Sequence, residues 1–239
     1  MPPADLAIRA VFFDAGNTLL RMNYAVIAAE LGRHGFAVTA DQVQRAEWRA
    51  RVRLDDEVLS RSGPGDSTET RSTAERYLGY MLDGLGVAAP ALVEKVAEWR
   101  RTYNPPVGVW NIVDPHAGEA LAAVQRAGLR AAVISNSNGS VRSILESLGL
   151  TGHLDFVVDS GEEGVEKPDP RIFELSLARA GVAPGEAVYI GDLYSIDVRG
   201  ARAAGMRAVL LDPGGHWGSR DCPMAPDLLG AVRVVLAWR

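Results

Sequence analysis

Five short apolar runs, with helical patterns between most of them, constrain this chain more than any other feature. They are IRAVFF at 8–13, RAAVIS at 130–135, LDFVVDS at 154–160, EAVYIGD at 186–192 and RAVLLD at 207–212. A run that is apolar on both faces predicts a strand covered on both sides, as inside a parallel sheet. The helical patterns carry their own punctuation. GEALAAVQRAGL (118–129) closes near Gly128, and SVRSILESLGL (140–150) opens on a serine cap. PRIFELSLARAG has proline at its start and glycine at its end, and SIDVRGARAAGM (195–206) repeats the glycine stop. Strands and helices alternating at these lengths predict an α/β fold with a doubly wound parallel sheet. Ligands of such sheets bind beyond the carboxyl ends of the strands. Asp14, Ser135 and Asp192 fall at those ends.

Residues 21–105 read differently: no strand pattern, but helix after helix. YAVIAAELGRHG (24–35), the long ADQVQRAEWRARVRLDDEVLSR (40–61), STETRSTAERYLGYMLDGLG (67–86) and APALVEKVAEWRR (89–101) predict a four-helix insertion. The expected division is an α/β core of 1–20 and 106–239 with a helical cap domain over 21–105. The return linker, YNPPVGVW, is stiffened by Pro105 and Pro106.

Composition removes several functional classes. A net charge of -5 lacks the basic footprint of a nucleic-acid binder. No apolar run approaches the ~20 residues that span a bilayer, so no membrane role is expected. The N-terminal MPPADLAIRA lacks the layout of a signal peptide. A single cysteine, Cys222, excludes an intrachain disulfide and fits a cytoplasmic setting; it reads as an incidental residue of the loop SRDCPMAP. Of the 25 basic residues only Lys95 and Lys167 are lysine. A lysine retained in so arginine-rich a chain marks a place for a compact ammonium that a planar guanidinium cannot replace.

Four fragments at the sheet ends carry chemistry: Asp14-Ala-Gly-Asn-Thr18, Ser135-Asn136, Lys167-Pro-Asp-Pro170, and Gly191-Asp192 with Asp197 five residues on. Each alone has a bland reading as a turn residue, a helix cap or a solvated charge. Together, and in this order, the chain resembles the haloacid dehalogenase-like hydrolase superfamily, in the subgroup with a helical cap inserted just after the first motif. The resemblance covers nearly the whole chain and implies a Rossmann-like core.

It also implies a chemistry that elementary reasoning supports. A carboxylate that attacks phosphorus splits one difficult displacement into two easier ones. By the resemblance Asp14 is that nucleophile, passing through an aspartyl phosphate. The site is crowded with anions and needs cations. Mg²⁺ prefers hard oxygen ligands, and the family places it on Asp14, the backbone carbonyl of Gly16 and Asp192. Asp197 would be a further ligand or an orienter of the others. Lys167 would neutralise phosphate and nucleophile, and Ser135 would hydrogen-bond a phosphoryl oxygen. The backbone N–H groups of Ala15, Gly16 and Asn136 would add donors. Thr18 would hydrogen-bond the nucleophile. The substrate implied is a small phosphorylated metabolite, handled by a monomer or homodimer.

One departure stands out. Family phosphatases carry a second aspartate two residues after the nucleophile, as general acid and base; this chain has Gly16. Losing such a group costs ~10²–10⁴-fold, while glycine keeps the carbonyl the metal uses. Three readings follow. The protein is a phosphatase whose proton comes from water, substrate or a cap residue. It cleaves a carbon–halogen or carbon–phosphorus bond. Or it only binds a phosphorylated ligand. The dehalogenase subgroup normally has tyrosine at the Gly16 position and lacks the paired metal acids. The phosphonate-cleaving subgroup needs an early cap lysine, and the cap lysine here, Lys95, sits in its last predicted helix. Arg45, Arg49 and Arg53 share a helix face and are the cap candidates for that proton, although guanidinium is a poor general acid; Glu47 to Arg51 and Arg51 to Asp55 spacing favours a solvated, ion-paired surface instead. Asn17 suits a left-handed turn. Trp48, Trp99 and Trp110 are expected to pack within the helices, and His216 and Trp217 to serve a loop.

Overall fold

The computed structural model describes residues 7–62, 69–87, 89–103 and 108–238. The chain opens with β1 (Ala10–Phe13) and β2 (Leu20–Arg21), then α1 (Tyr24–Arg33), α2 (Ala40–Glu57), α3 (Arg71–Gly84) and α4 (Pro90–Tyr103). β3 (Ile112–Val113) returns antiparallel to β2. The remainder is α5 (Ala117–Arg126), β4 (Arg130–Ser135), α6 (Val141–Ser147), β5 (Phe156–Asp159), α7 (Ser160–Glu163), α8 (Pro170–Ala180) and β6 (Ala187–Gly191), followed by α9 (Arg199–Ala203), β7 (Arg207–Leu211), β8 (Met224–Ala225) and α10 (Leu228–Leu236).

The main sheet is parallel throughout, in the order β5-β4-β1-β6-β7-β8. β1 lies between β4 and β6 and is wholly buried, which is why AVFF can be apolar at every position. Alternate residues serve opposite faces. Val11 and Phe13 pack with Leu121, Val124, Val232 and Val235 from α5 and α10. Ala10 and Phe12 pack on the other side with Ile172 and Phe173 of α8. Helices on both faces make the sheet doubly wound, as expected. The short strands β2, β3 and β8 were not anticipated; two residues are too few to show a period.

Helices α1–α4 hold a separate apolar cluster that includes Ile27, Leu31, Val43, Ala46, Leu78, Leu82 and Val96. α2 begins with a reciprocal cap: Gln42 N–H donates to Thr39 Oγ1, and Thr39 N–H donates to the Gln42 side chain. Pro105 and Pro106 lie outside the described residues, as do residues 63–68 before α3.

Two local expectations are corrected. Ser140 does not cap α6. Asp159, at the end of the neighbouring β5, accepts hydrogen bonds from Val141 N at 3.1 Å and Gly139 N at 3.0 Å instead. A carboxylate from an adjacent strand is a stronger acceptor than a local hydroxyl. The helix expected from 195 starts as a wide π-turn, Tyr194–Val198, before α9. That turn brings the Asp197 carboxylate back to the strand end, where it accepts from Asp192 N at 3.0 Å and Leu193 N at 2.9 Å. Gly191 makes room for it: a Cβ there would lie 2.4 Å from Asp197 Cγ.

Candidate active site

The turn after β1 is built around one carbonyl. Ala15 O accepts from the N–H groups of Leu19 and Leu20 at 3.0 and 2.8 Å, and Asn17 adopts the left-handed φ of 52° that asparagine tolerates. Asp14 is thereby held at the mouth of the sheet. It lines a cavity of about 250 Å³ whose wall also includes Gly16, Ser135, Asn136, Lys167, Asp192 and Asp197. The cavity continues to the helices, where it meets Arg51, Glu69, Tyr77, Arg100 and Trp110.

Lys167 is the hub. Its Nζ donates to Asp14 Oδ1 at 2.7 Å, to Asp197 Oδ1 at 2.8 Å and to the Tyr189 hydroxyl at 2.8 Å. All three ammonium donors are therefore used, and the residue is only 2% exposed. Burial alone would pull the ammonium pKa down, but the carboxylates of Asp14 and Asp197 outweigh it and hold it above the ordinary lysine value. Asn136 fixes the lysine backbone from both sides: its Oδ1 accepts from Lys167 N and its Nδ2 donates to Lys167 O, each at 2.8 Å. The Asn136 side chain thus positions Lys167, beside any role its backbone has toward substrate.

Burial pushes the Asp14 carboxyl up to about 6; Lys167 works against that rise and Asp197 adds to it. Burial also raises Asp192, with Arg51 opposing. Asp14, Asp192 and Asp197 each offer a carboxylate oxygen within 4.8 Å of the others. Asp197 spends Oδ1 on Lys167 and Oδ2 on the two backbone N–H groups.

Two site expectations change. Among the described residues Thr18 Oγ1 has no hydrogen-bond partner and makes no bond to Asp14; Thr18 lines a separate cleft with Trp48 and Asp114. Glu47, Arg51 and Asp55 are not a solvated face: they are 0%, 3% and 1% exposed. Glu47 pairs with Arg51 at 2.6 Å. Arg51 then reaches across to Asp192 Oδ2 at 3.0 Å. Asp55 accepts from Ser195 N and Oγ at 2.9 and 2.8 Å, and pairs with that loop instead of Arg51. Asn17 Nδ2 also reaches Asp192 Oδ2, at 3.1 Å, while Tyr24 and Tyr77 donate to Glu47. The neighbouring Arg45, Arg49 and Arg53 are exposed, as expected. Trp110 does more than pack: its ring lies 3.6 Å from where a Gly16 Cβ would be.

Sequence reasoning missed Tyr189, Glu69 and Arg100 as well. Tyr189 had a signal, since a phenol inside an all-buried strand must find a polar partner; its hydroxyl donates to Ile134 O at 2.7 Å. His216 and Trp217 keep to their loop, with both backbone N–H groups on Asp212. Cys222 is buried in its loop.

A buried acid, a lysine bound to it and further acids are gathered at the carboxyl ends of the parallel sheet, where ligands of open α/β folds bind. The chain belongs to the haloacid dehalogenase-like hydrolase family, whose model matches residues 8–205. It is 31% identical over 210 residues to haloacid dehalogenase-like hydrolase domain-containing protein 3 of Bos taurus, covering 86% of this chain and 82% of that one. It is 33% identical over 210 residues to ribulose-1,5-bisphosphate 5-phosphatase of Halopiger xanaduensis, covering 85% and 84%. The 2-haloacid dehalogenase structure from Pseudomonas syringae pv. Tomato DC3000 superposes with a TM-score of 0.58 at 27% identity, over 97% of this chain and all of that one.

Proposed function

We propose that this hydrolase is a Mg²⁺-dependent phosphatase of small phosphate esters, working through an aspartyl phosphate on Asp14. The phosphatase relative from Halopiger supports a phosphorylated substrate. The observation that carries the reading is the charge of the site. Asp14, Asp192, Asp197 and Glu47 are four carboxylates tied by hydrogen bonds to two cations, Lys167 and Arg51. With all four ionised, two negative charges would remain, which a divalent cation would balance.

The donor set suits magnesium, because it is all oxygen. Lys167 occupies one Asp14 oxygen, and Arg51 with Asn17 occupy one Asp192 oxygen. The second oxygens of Asp14 and Asp192, with the Gly16 carbonyl, would hold the ion, and Asp197 would orient the lysine and the loop. When bound, the ion would screen the charge that accumulates on the transferred phosphoryl group. Asp14 attacks phosphorus, forming one P–O bond as the ester P–O bond breaks; the departing oxygen takes a proton from water. Water then cleaves the acyl phosphate, releasing inorganic phosphate and restoring Asp14. Lys167 keeps Asp14 ionised, and Ser135 with the Ala15 and Gly16 backbone would hold phosphoryl oxygens.

The helices of 21–105 would form the cap that closes the site against water, over a core of 1–20 and 106–239. The single cysteine supports a cytoplasmic setting. Among the described residues, no helix is long and apolar enough to cross a membrane.

The test is a phosphate-ester panel run with Mg²⁺ and with EDTA. Metal-dependent release of phosphate is the expected result, and no release from any ester would refute the reading. A second reading rests on the likeness to the Pseudomonas dehalogenase. It predicts metal-free halide release from 2-chloropropionate; the Asp192 and Asp197 pair argues against it.

A further inference from the structure

Three cations among the described residues line the cavity: Lys167, Arg51 and Arg100. Two are matched. Lys167 sits between Asp14 and Asp197, and Arg51 between Glu47 and Asp192. Arg100 is different. Its neighbour on α4, Arg101, pairs with Glu98 and Glu75. Arg100 forms no ion pair among the described residues; its one hydrogen bond goes from Nη1 to the Ala74 carbonyl at 2.9 Å. Its remaining N–H groups keep some contact with solvent, and the residue lines the cavity. A half-buried guanidinium with no carboxylate in ion-pair contact is costly to hold; burial pulls its pKa below the ordinary arginine value, with Tyr77 and the more distant Glu69 carboxylate opposing. Such a group is a binding element waiting for an anion.

Its position says which part of a ligand it would meet. Asp14, Lys167 and Ser135 form the sheet wall of the cavity, where the phosphoryl group reacts. Arg100 stands on the helical wall beside Thr73, Ala74 and Tyr77. The apolar surface between them comes from Leu54, Leu59, Trp110 and Ile196, and the space is about 250 Å³, room for a short carbon skeleton. We propose that Arg100 anchors the leaving-group half of the substrate, so that the cavity selects small phosphate esters carrying a second anionic group, a carboxylate or another phosphate. A guanidinium fork matches the paired oxygens of both. This inference rests on the phosphatase reading for its substrate class, but the anchoring itself does not require turnover.

The experiment compares wild type with Arg100→Gln and Arg100→Lys in Mg²⁺. Substrates are phosphoglycolate and 3-phosphoglycerate, a propanediol bisphosphate, and the neutral-bodied ethyl and propyl phosphates. In wild type, kcat/KM should favour one doubly anionic class over the neutral-bodied esters, and the class favoured identifies the anion. Arg100→Gln should lower that ratio roughly 10- to 150-fold, the range for a hydrogen bond to a charged group, chiefly through KM. Arg100→Lys should restore part of it. A merely structural role would depress every ester together and leave the ratio unchanged, which would overturn the proposal, as would a wild type without the preference. In parallel, phosphonoacetate and ethylphosphonate are titrated calorimetrically into both proteins. If no ester is hydrolysed, the phosphatase reading fails, and the titration alone decides. Tighter binding of phosphonoacetate by wild type, lost in Arg100→Gln, sustains the anchor; equal binding or none of either removes it.

Discussion

Replacing Gly16 with aspartate tests the central oddity of this site. The structure says the change should fit. Gly16 lacks the left-handed φ that would bar a side chain, and its Cβ would meet Trp110 at 3.6 Å, an ordinary contact. The position lines the cavity, so the carboxyl enters the reaction space. It also joins a cluster of buried carboxylates whose pKa values burial already raises, and burial with nearby acids lifts a carboxyl toward the range where it donates protons near neutrality. A positioned acid–base group contributes ~10²–10⁴-fold. We expect the lower end, about 100-fold in kcat or roughly 2.7 kcal/mol of barrier, because the surrounding residues have not been shaped to orient the new group. The gain should depend on the leaving group. An alkyl alkoxide needs its proton, whereas p-nitrophenolate departs well without one. The assay is phosphate release from ethyl phosphate and p-nitrophenyl phosphate with Mg²⁺, using Gly16→Asn as the control for shape. A folded Gly16→Asp protein with no gain on the alkyl ester would show that proton delivery is not what the wild-type site lacks.

Asp14→Asn should abolish turnover and the phosphoryl adduct that mass spectrometry detects on the trapped wild-type protein; residual full activity would exclude Asp14 as nucleophile. Glu47→Ala strands Arg51 beside Asp192, and breaking such a buried pair costs ~3–5 kcal/mol. For a chain of this length Tm should fall by roughly 6–20 °C, whereas Arg53→Ala, whose ion pairs are exposed, should leave Tm nearly unchanged. Burial raises Asp55 to about 6 despite its Ser195 donors. The folded state therefore holds this proton more tightly than the unfolded chain. Stability from Asp55 is greatest below about pH 4 and declines as pH rises through 6, by about 3 kcal/mol at most. Urea titrations at several pH values should show a flatter profile for Asp55→Asn. Asp192→Asn should weaken Mg²⁺ binding, read as a lost thermal shift on adding the ion.

Much of this molecule is legible along the chain. The five apolar runs are the five principal strands because a strand covered on both faces needs apolar residues at every position, and that demand is local and continuous. Asp14, Ser135 and Asp192 could be placed at one sheet edge from the same logic, since parallel strands all present their carboxyl ends on one side. Asn17 in its left-handed turn belongs to the same legible class, because backbone geometry restricts it directly.

What only the tertiary structure decided concerns which charges are buried. Glu47, Arg51 and Asp55 have the spacing of an exposed ion-paired face, and spacing alone carries no information about what packs against a helix. Packing places that face on the loop after β6, so Arg51 pairs with Asp192 and Asp55 with Ser195. The same holds for Arg100 and Arg101: they are neighbours in sequence with identical side chains, yet one is neutralised at the surface and the other faces the cavity. Local sequence sets period and turn. Burial, and with it the strength of every charge in the site, arises from contacts between segments distant in the chain.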